Sequence, residues 1–567
     1  MNHPTPAIVT QAAARRLPRL ALVLFCVAYV LPGFFGRDGW KSADMASLGV
    51  MAELLQGSTS WWMPSLMGAP PESPALLPYW LGAWAMQIAP GWMAADFVVR
   101  IPFGLLLTLT LVATWYGTYY LGRDPKAQPV AFAFGGEALP KDYARAMADG
   151  ALLALIACLG LAQLSHETTP ALAQLGFASL FFYGAAALAY HRFASGLAIT
   201  VGLLGMALSG APAMATLWGL GSGVIHILER TRETVPTRQD REVTLEAMGI
   251  LLVAAIAGGV AAALDLWRWK IAVPQATWAD WNGYAQLLIW FTWPAWPLAL
   301  WTLWRWRHQL FSLQISRHLA LPAWLCSVTV AATLTTGSSD RTLLLALPPL
   351  ATLAAFALPT LKRQVAALID WFTLLFFSGC AFTIWVVWIA MHTGYPSQPA
   401  ANVARLAPGF VSSFSLLSLT FALAATLVWA WLVHWRVGRH RAAIWKSLVL
   451  PAGGAALCWL LLMTLWMPLL NYAQGYRVLV EQTVGKITPA ACVETVGLNQ
   501  GQIAAFQFYG NLQLKPMQGT PSCPWLLAES GPDMAPPAKL DNRQWNLVVP
   551  IKHPTDANQS VLLFRQR

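Results

Sequence analysis

Apolar runs long enough to approach the width of a bilayer recur along most of the chain, separated by short polar segments. A helix needs about 20 such residues to cross the hydrocarbon core, and about thirteen runs suggest a span. They are centred on Phe25, Leu107, Leu155, Phe181, Leu203, Leu217, Val253, Phe291, Val328, Leu350, Phe376, Phe421 and Leu460. From residue 471 the pattern changes to period two, as in Trp545-Asn-Leu-Val-Val-Pro and Ser560-Val-Leu-Leu-Phe, with Gly, Pro and Asn between. That alternation predicts short strands in a small α/β unit. The chain is therefore expected to be an α-helical polytopic membrane protein, residues 1–470, followed by an α/β domain, residues 471–567.

The polar segments orient the spans. One set carries Arg15, Arg16 and Arg19, then Arg123, Lys126, Lys141 and Arg145, then Arg230, Arg232, Arg238 and Arg241. It continues with Arg305, Arg307 and Arg317, then Lys362 and Arg363, and ends with Arg436, Arg439, Arg441 and Lys446. The alternate set holds chiefly Arg37, Lys41, Arg268, Lys270, Arg341 and Arg405. Cytoplasmic loops are enriched in Arg and Lys, so the amino terminus is expected inside and, with an odd number of spans, the carboxyl-terminal domain outside. The first run follows a basic stretch as a signal peptide would, but no small-residue cleavage site follows it, so it is expected to be retained.

Composition narrows the function classes. With 57% hydrophobic and 11% charged residues, a soluble domain is excluded. The net charge of +11 is an orientation signal and needs no nucleic-acid partner. Most of the 30 Trp residues sit near the ends of apolar runs, as membrane-interface anchors do. Five cysteines, Cys26, Cys158, Cys326, Cys380 and Cys458, fall inside apolar runs and behave as small hydrophobes. Cys492 and Cys523 lie in the outer tail, where a disulfide is expected; a metal pair and two unpaired thiols are the alternatives.

Candidate chemistry concentrates in the first outer loop, residues 37–90. Its Met45, Leu48, Met51, Leu54 and Leu55 have helical spacing, which predicts a helix lying along the interface with Asp44 at its start. A carboxylate there can cap backbone N–H groups or act chemically, and the local pattern leaves both open. The loop continues as Trp61-Trp-Met-Pro-Ser-Leu-Met-Gly68-Ala-Pro-Pro-Glu72-Ser-Pro74 and then Leu77-Pro-Tyr79-Trp80-Leu81.

This order resembles the first outer loop of the GT-C fold glycosyltransferases that use polyprenyl-phosphate sugars, nearest the lipid A aminoarabinose transferases and protein O-mannosyltransferases. In the register set by Pro64 and Gly68, Asp44 falls on that family's catalytic Asp, and Glu72 on its later motif Glu after a small gap. Arg100-Ile-Pro102 resembles the family's Arg-Leu-Pro, and Ser338-Ser-Asp-Arg341 resembles the segment whose basic residue faces the lipid phosphate. The resemblance extends to about Leu361. Three positions depart from it: Met45 replaces the second acid of Asp-Glu, Ser73 a lysine, and Ser209-Gly-Ala-Pro212 a Lys-Gly-Pro.

The resemblance implies a bacterial inner-membrane glycosyltransferase. It would move a sugar from a polyprenyl-phosphate donor to a lipid, glycan or protein acceptor on the periplasmic face, inverting, metal-independent, without cofactor, and as a monomer. Such a transfer needs a base for the acceptor hydroxyl and cations for the departing phosphate. Asp44 is the expected base. Arg341, Lys41, Arg100 and Arg37 are the candidate phosphate contacts, and Glu72, Glu167, Tyr79 and Trp80 are candidates for positioning loop or substrate. Bland roles compete: Arg100 and Arg341 stand at helix ends where side chains snorkel, and His166-Glu167 reads as a surface pair. The glycine run Gly219–Gly223 lies within a span, where small residues allow close packing, and is no phosphate loop. A transporter or flippase of a lipid-linked sugar, a ligase with a later key loop, and a non-catalytic glycolipid-binding relative are the alternatives. The transporter reading lacks visible inverted repeats. The donor sugar, the acceptor and the grip on the donor phosphate are not encoded in any motif.

Overall fold

The structure is a computed structural model that describes every residue except 1–4, 231–237, 268–276, 311, 313–314, 337–339, 438–442, 488–491, 519–520, 531–539 and 541–542. Of the residues used to orient the chain, Arg232, Arg268, Lys270, Arg439 and Arg441 fall outside the described set. So do Ser338 and Ser339 beside Arg341 and most of the Trp-rich stretch between Leu266 and Trp281.

All thirteen expected span centres fall on helices. Among the described residues, eight helices are long and apolar enough to cross a membrane, and Arg19–Val30 and Arg192–Leu208 are shorter apolar ones. The other three centres show why length and apolarity undercount. Leu155 lies in Pro140–Ala157, which carries Lys141, Asp142, Arg145 and Asp149, yet from Ala146 to Ala157 it is buried throughout. Surrounded by protein, that helix needs no apolar outer face. Leu217 lies in Pro212–Arg230, and Phe291 ends Trp278–Phe291, which Pro294 separates from Ala295–Arg305. Among the described residues three α-helices, at Pro140, Pro170 and Pro212, open on proline, whose missing N–H costs nothing in a first turn.

Burial sorts the spans. Asp340–Thr360 and Pro170–Ala187 are 83% and 78% buried, whereas Arg363–Thr393 and Leu416–Arg436 are 22% and 17% buried. The first two are therefore central, and the last two present their apolar side chains outward as a lipid-facing pair.

Between the first and second apolar helices runs the loop of interest. Helix α1 (Arg19–Val30) leads to α2 (Lys41–Gln56), which the expected apolar spacing locates to within a few residues, and α3 (Leu77–Ile88) follows. The carboxyl-terminal sheet contains β1 (Cys492–Val496), β2 (Gln513–Pro516), β3 (Trp525–Glu529), β4 (Trp545–Ile551) and β5 (Val561–Gln566), in the order β2-β1-β3-β5-β4. β1 pairs parallel with β2 and β3, while β5 pairs antiparallel with β3 and β4. The two period-two runs of the sequence are β4 and β5. Alternate residues serve different cores: Leu526, Ala528, Leu562 and Phe564 form one cluster, and Leu527, Val561 and Leu563 join the core continuous with the helical bundle. Cys492 and Cys523 are joined, with Cα atoms 5.2 Å apart.

The sheet domain sits on α2 through the helix Gln500–Phe508. The contact is close enough that a Cβ on Gly501 would lie 2.6 Å from the Ser42 Cα and 2.9 Å from its carbonyl oxygen. Gly501→Val is therefore expected to lower the Tm and speed proteolysis at the 471–477 junction, since overpacking costs about 1–3 kcal/mol. An unchanged melt and digest would show that the two units do not bear on each other there.

Candidate active site

Asp44 occupies the first turn of α2, whose N-cap is Trp40. Its carboxylate is 2% exposed and accepts four hydrogen bonds. Oδ2 accepts from the Trp40 backbone N–H at 3.2 Å and from Arg37 Nη2 at 3.4 Å. Oδ1 accepts from the Thr168 N–H at 2.8 Å and the Thr168 hydroxyl at 2.5 Å. The capping role open to a first-turn carboxylate is thus present, but it uses one of four bonds. The other three reach outside the helix and tie α2 to Arg37 and to the 165–169 turn.

That turn corrects the expectation of a surface pair. Ser165, His166, Glu167, Thr168 and Thr169 are 0–6% exposed. The His166 ring is packed against Tyr29, Phe34 and Trp459, with centroids 5.7, 4.8 and 4.6 Å away. Burial pushes its pKa down to about 3, so it is neutral. Glu167 faces Arg341, Oε2 to Nη2 at 3.3 Å. Its carboxyl is pushed up, first by burial and then by Asp44, against the pull of Arg341 and Arg37. Pro170 follows directly and opens the next helix, so the polar turn is pinned between two buried elements. Local sequence carries no sign of the aromatic lid above it.

Arg37 is 1% exposed, donates from Nη1 to the His166 carbonyl at 3.0 Å, and lies 4.1 Å from the Trp40 ring centroid. Burial lowers its pKa, while Asp44 and Glu167 raise it. Arg100, also buried, donates to the Arg37 carbonyl. With three guanidinium groups against the carboxylates of Asp44 and Glu167, the cluster carries an excess charge of 3 − 2 = +1. Any proton taken up by Glu167 makes it more positive.

Beside the cluster is a cavity of about 600 Å³. Ala43, Ser47 and Val50 of α2 form one wall, Pro71 to Pro74 and Tyr79 a second, Thr169 to Ala171 a third, and Gly210 to Met214 a fourth. Among the described lining residues Arg341 is the one cation and Glu72 the one anion. Among the described residues the Nε of Arg341 and the hydroxyl of Thr169 have no hydrogen-bond partner. The Tyr79 hydroxyl donates to the Ser73 carbonyl at 3.1 Å. Gly210 has φ +89°, and a Cβ there would lie 2.4 Å from the Pro74 carbonyl oxygen, so only glycine lets these two walls meet. Asp44 itself does not line the cavity; Ala43 and Ser47 on its own helix do, and its partner Thr168 is followed by cavity-lining Thr169.

The structure gathers the expected residues unevenly. Arg341, Glu72 and Tyr79 meet at the cavity, and Glu167, Asp44 and Arg37 form the layer behind it. Arg37, Arg100 and Lys41 do not line it. Arg37 donates to the His166 carbonyl and Asp44, Arg100 donates to the Arg37 carbonyl, and Lys41 reaches Asp556 of the sheet domain at 3.4 Å with 47% of its side chain exposed. Trp80 donates from its indole N–H to the Trp61 carbonyl at 2.7 Å and packs with Trp62 and Trp84, so it braces the loop. Ser73 and Gly210 line the cavity where the resemblance sets lysines on or beside them. Thr168 and Gln500 were not legible in advance, because neither carries a motif. Among the described residues no three His, Cys, Asp or Glu stand together as a metal set.

A polytopic helical bundle, a helix along its face carrying a buried carboxylate, and a small terminal sheet domain together define the GT-C fold. The crystal structure of ArnT from Cupriavidus metallidurans bound to undecaprenyl phosphate matches with a TM-score of 0.59 at 14% identity, over 97% of this chain and 98% of that one. The apo crystal structure of the same ArnT matches at 0.57 with 12% identity, over 96% of each chain. The likeness is one of fold. No protein-family model matches the chain, and no curated protein matches it in sequence.

Proposed function

We propose that the protein is a glycosyltransferase of the bacterial inner membrane that takes its sugar from a polyprenyl phosphate. The carrying observation is the +1 cluster of Asp44, Glu167, Arg37, Arg100 and Arg341, which opens through Arg341 onto the cavity. The match in fold to an ArnT crystallised with undecaprenyl phosphate supports a polyprenyl-phosphate ligand. Residues 1–470 supply most of the cavity wall and Gln500 the rest, the sheet domain 471–567 lies in the periplasm, and the protein works as a monomer.

In the proposed reaction the donor phosphate rests against the exposed part of Arg341, whose planar fork suits its oxygens. An acceptor hydroxyl of a lipid, glycan or protein enters from the side of Ser47 and Thr169. The Thr168 hydroxyl can rotate away from Oδ1, and it is the donor that the acceptor hydroxyl replaces on Asp44. Asp44 takes the hydroxyl proton, the acceptor oxygen bonds to the sugar C1, and the C1–O bond to phosphate breaks with its electron pair leaving on the polyprenyl phosphate. Attack on the face opposite the phosphate inverts C1. Arg341 meets the charge that grows on the leaving group, so the step needs no metal ion.

The test is incubation of purified protein with a panel of radiolabelled undecaprenyl-phosphate sugars, bacterial membranes and, separately, sealed proteoliposomes. Consumption of one donor with label appearing in a new covalent product supports transfer. Movement of intact label across proteoliposomes would replace it with transport, and binding without either would leave a glycolipid-binding protein.

A further inference from the structure

We infer that Gln500, supplied by the carboxyl-terminal sheet domain, is a positioning residue that fixes the Pro70–Pro74 wall of the cavity. This rests on the transfer reading of that cavity for its kinetic consequence, though not for its structural one. Gln500 is the first residue of the helix Gln500–Phe508. Asn499 before it forms a capping box: its side chain accepts from the Gln502 N–H at 2.9 Å, and the Gln502 side chain accepts from the Asn499 N–H at 3.1 Å. These reciprocal bonds fix the first turn. Asn499 also donates to Gln559 at 2.9 Å, so the start of this helix is tied to the segment before β5. The contact of Gly501 with Ser42 then sets Gln500 over the first turn of α2, two residues from Asp44.

From that fixed point the side chain spans the wall. Its Nε2 donates to the Pro70 carbonyl at 2.7 Å, and its Oε1 accepts from the Glu72 N–H at 3.2 Å. The amide thus pairs with the segment as a neighbouring strand would. Among the described residues the Glu72 N–H has no backbone partner, and three of the five residues from Pro70 to Pro74 are prolines that cannot donate. Pro71, Glu72, Ser73 and Pro74 all line the cavity, as Gln500 does. A second fastening holds the other end of the loop. Asn471 accepts from the Asp38 N–H at 3.1 Å and the Trp40 indole at 2.8 Å, and Arg477 pairs with Asp38 at 3.0 Å. The sheet domain therefore grips the loop on both sides of α2, and among its described residues only Gln500 reaches the cavity.

The direct test is hydrogen exchange by mass spectrometry on the full-length protein in detergent. Between residues 70 and 74 only Glu72 and Ser73 carry exchangeable backbone amides. Gln500→Ala is expected to speed exchange in a peptide covering this segment while exchange in the helix Gln500–Phe508 and the Tm stay at wild-type values. Unchanged protection of the segment would overturn the inference, whatever the protein's activity. Kinetics supply the second reading. With the undecaprenyl-phosphate sugar consumed by the wild type, Gln500→Ala is expected to raise donor KM about tenfold with little change in kcat. Gln500→Glu can accept from Glu72 but cannot donate to Pro70 while ionised. Its KM should return toward the wild-type value as pH falls toward about 4.5 and the carboxyl regains a donor. A merely packed side chain would give no such pH dependence. If the wild type consumes no donor, the transfer reading fails, and the exchange result still decides the role of Gln500.

Discussion

Asp44→Asn is expected to lower kcat by about a thousandfold, the loss typical of a general base removed from a transfer reaction. The change has a structural side that must be separated from it. An Asn amide turns an NH2 either toward the Thr168 N–H or toward Arg37 and the Trp40 N–H, so donors face donors in a buried place. Arg37 loses its carboxylate partner while 0% of its side chain is exposed, and breaking a buried pair costs about 3–5 kcal/mol. The Tm should therefore fall with kcat. Arg37→Met combined with Asp44→Asn removes both charges and is expected to recover most of the Tm but none of the turnover. If the double variant turns over as the wild type does, Asp44 acts as a cap and ion-pair partner alone.

Arg341→Ala is expected to weaken binding of undecaprenyl phosphate by roughly 10–100-fold, since a hydrogen bond to a charged group is worth about 1.5–3 kcal/mol. Native mass spectrometry or titration calorimetry in detergent measures this without knowledge of the acceptor. Lysine at 341 should restore only part of the affinity, because an ammonium has the charge without the planar fork. The loss also frees Glu167 from one of the two groups that pull its pKa down, leaving Arg37 alone against burial and Asp44. Glu167 then takes its proton at higher pH than in the wild type, so the acid limb of the pH–activity profile should shift upward. Equal affinity in both variants would remove Arg341 from the phosphate site.

What the sequence disclosed follows physical range. The spans were legible because a membrane helix is defined by local length and apolarity, and β4 and β5 because strand alternation is local too. Asp44 could be placed at the start of α2 by spacing, and the basic position Arg341, which pairs with Glu167, by resemblance. The failures involve contacts across long separations. His166 and Glu167 looked exposed because nothing in a five-residue polar turn reports Trp459, nearly 300 positions away, closing over it. Lys41 is a candidate phosphate contact in the loop sequence, and no local pattern reports that its half-exposed side chain lies 3.4 Å from Asp556 of the sheet domain. Gln500 meets Glu72 across 428 positions and has no motif at all. Ser73 and Ser209 mark where the resemblance and the chain part: Ser73 and Gly210, next to Ser209, line the cavity, and among the described lining residues Arg341 is the one cation.

The most direct measurement uses a donor labelled on the sugar with one isotope and on the phosphate with another, mixed with excess wild-type protein and membranes for a single turnover. The account predicts that sugar label leaves the lipid and enters a new product one for one with the appearance of free polyprenyl phosphate, which keeps the second label. If both labels stay on one molecule throughout, whether it remains in place or crosses the bilayer, the protein does not transfer the sugar.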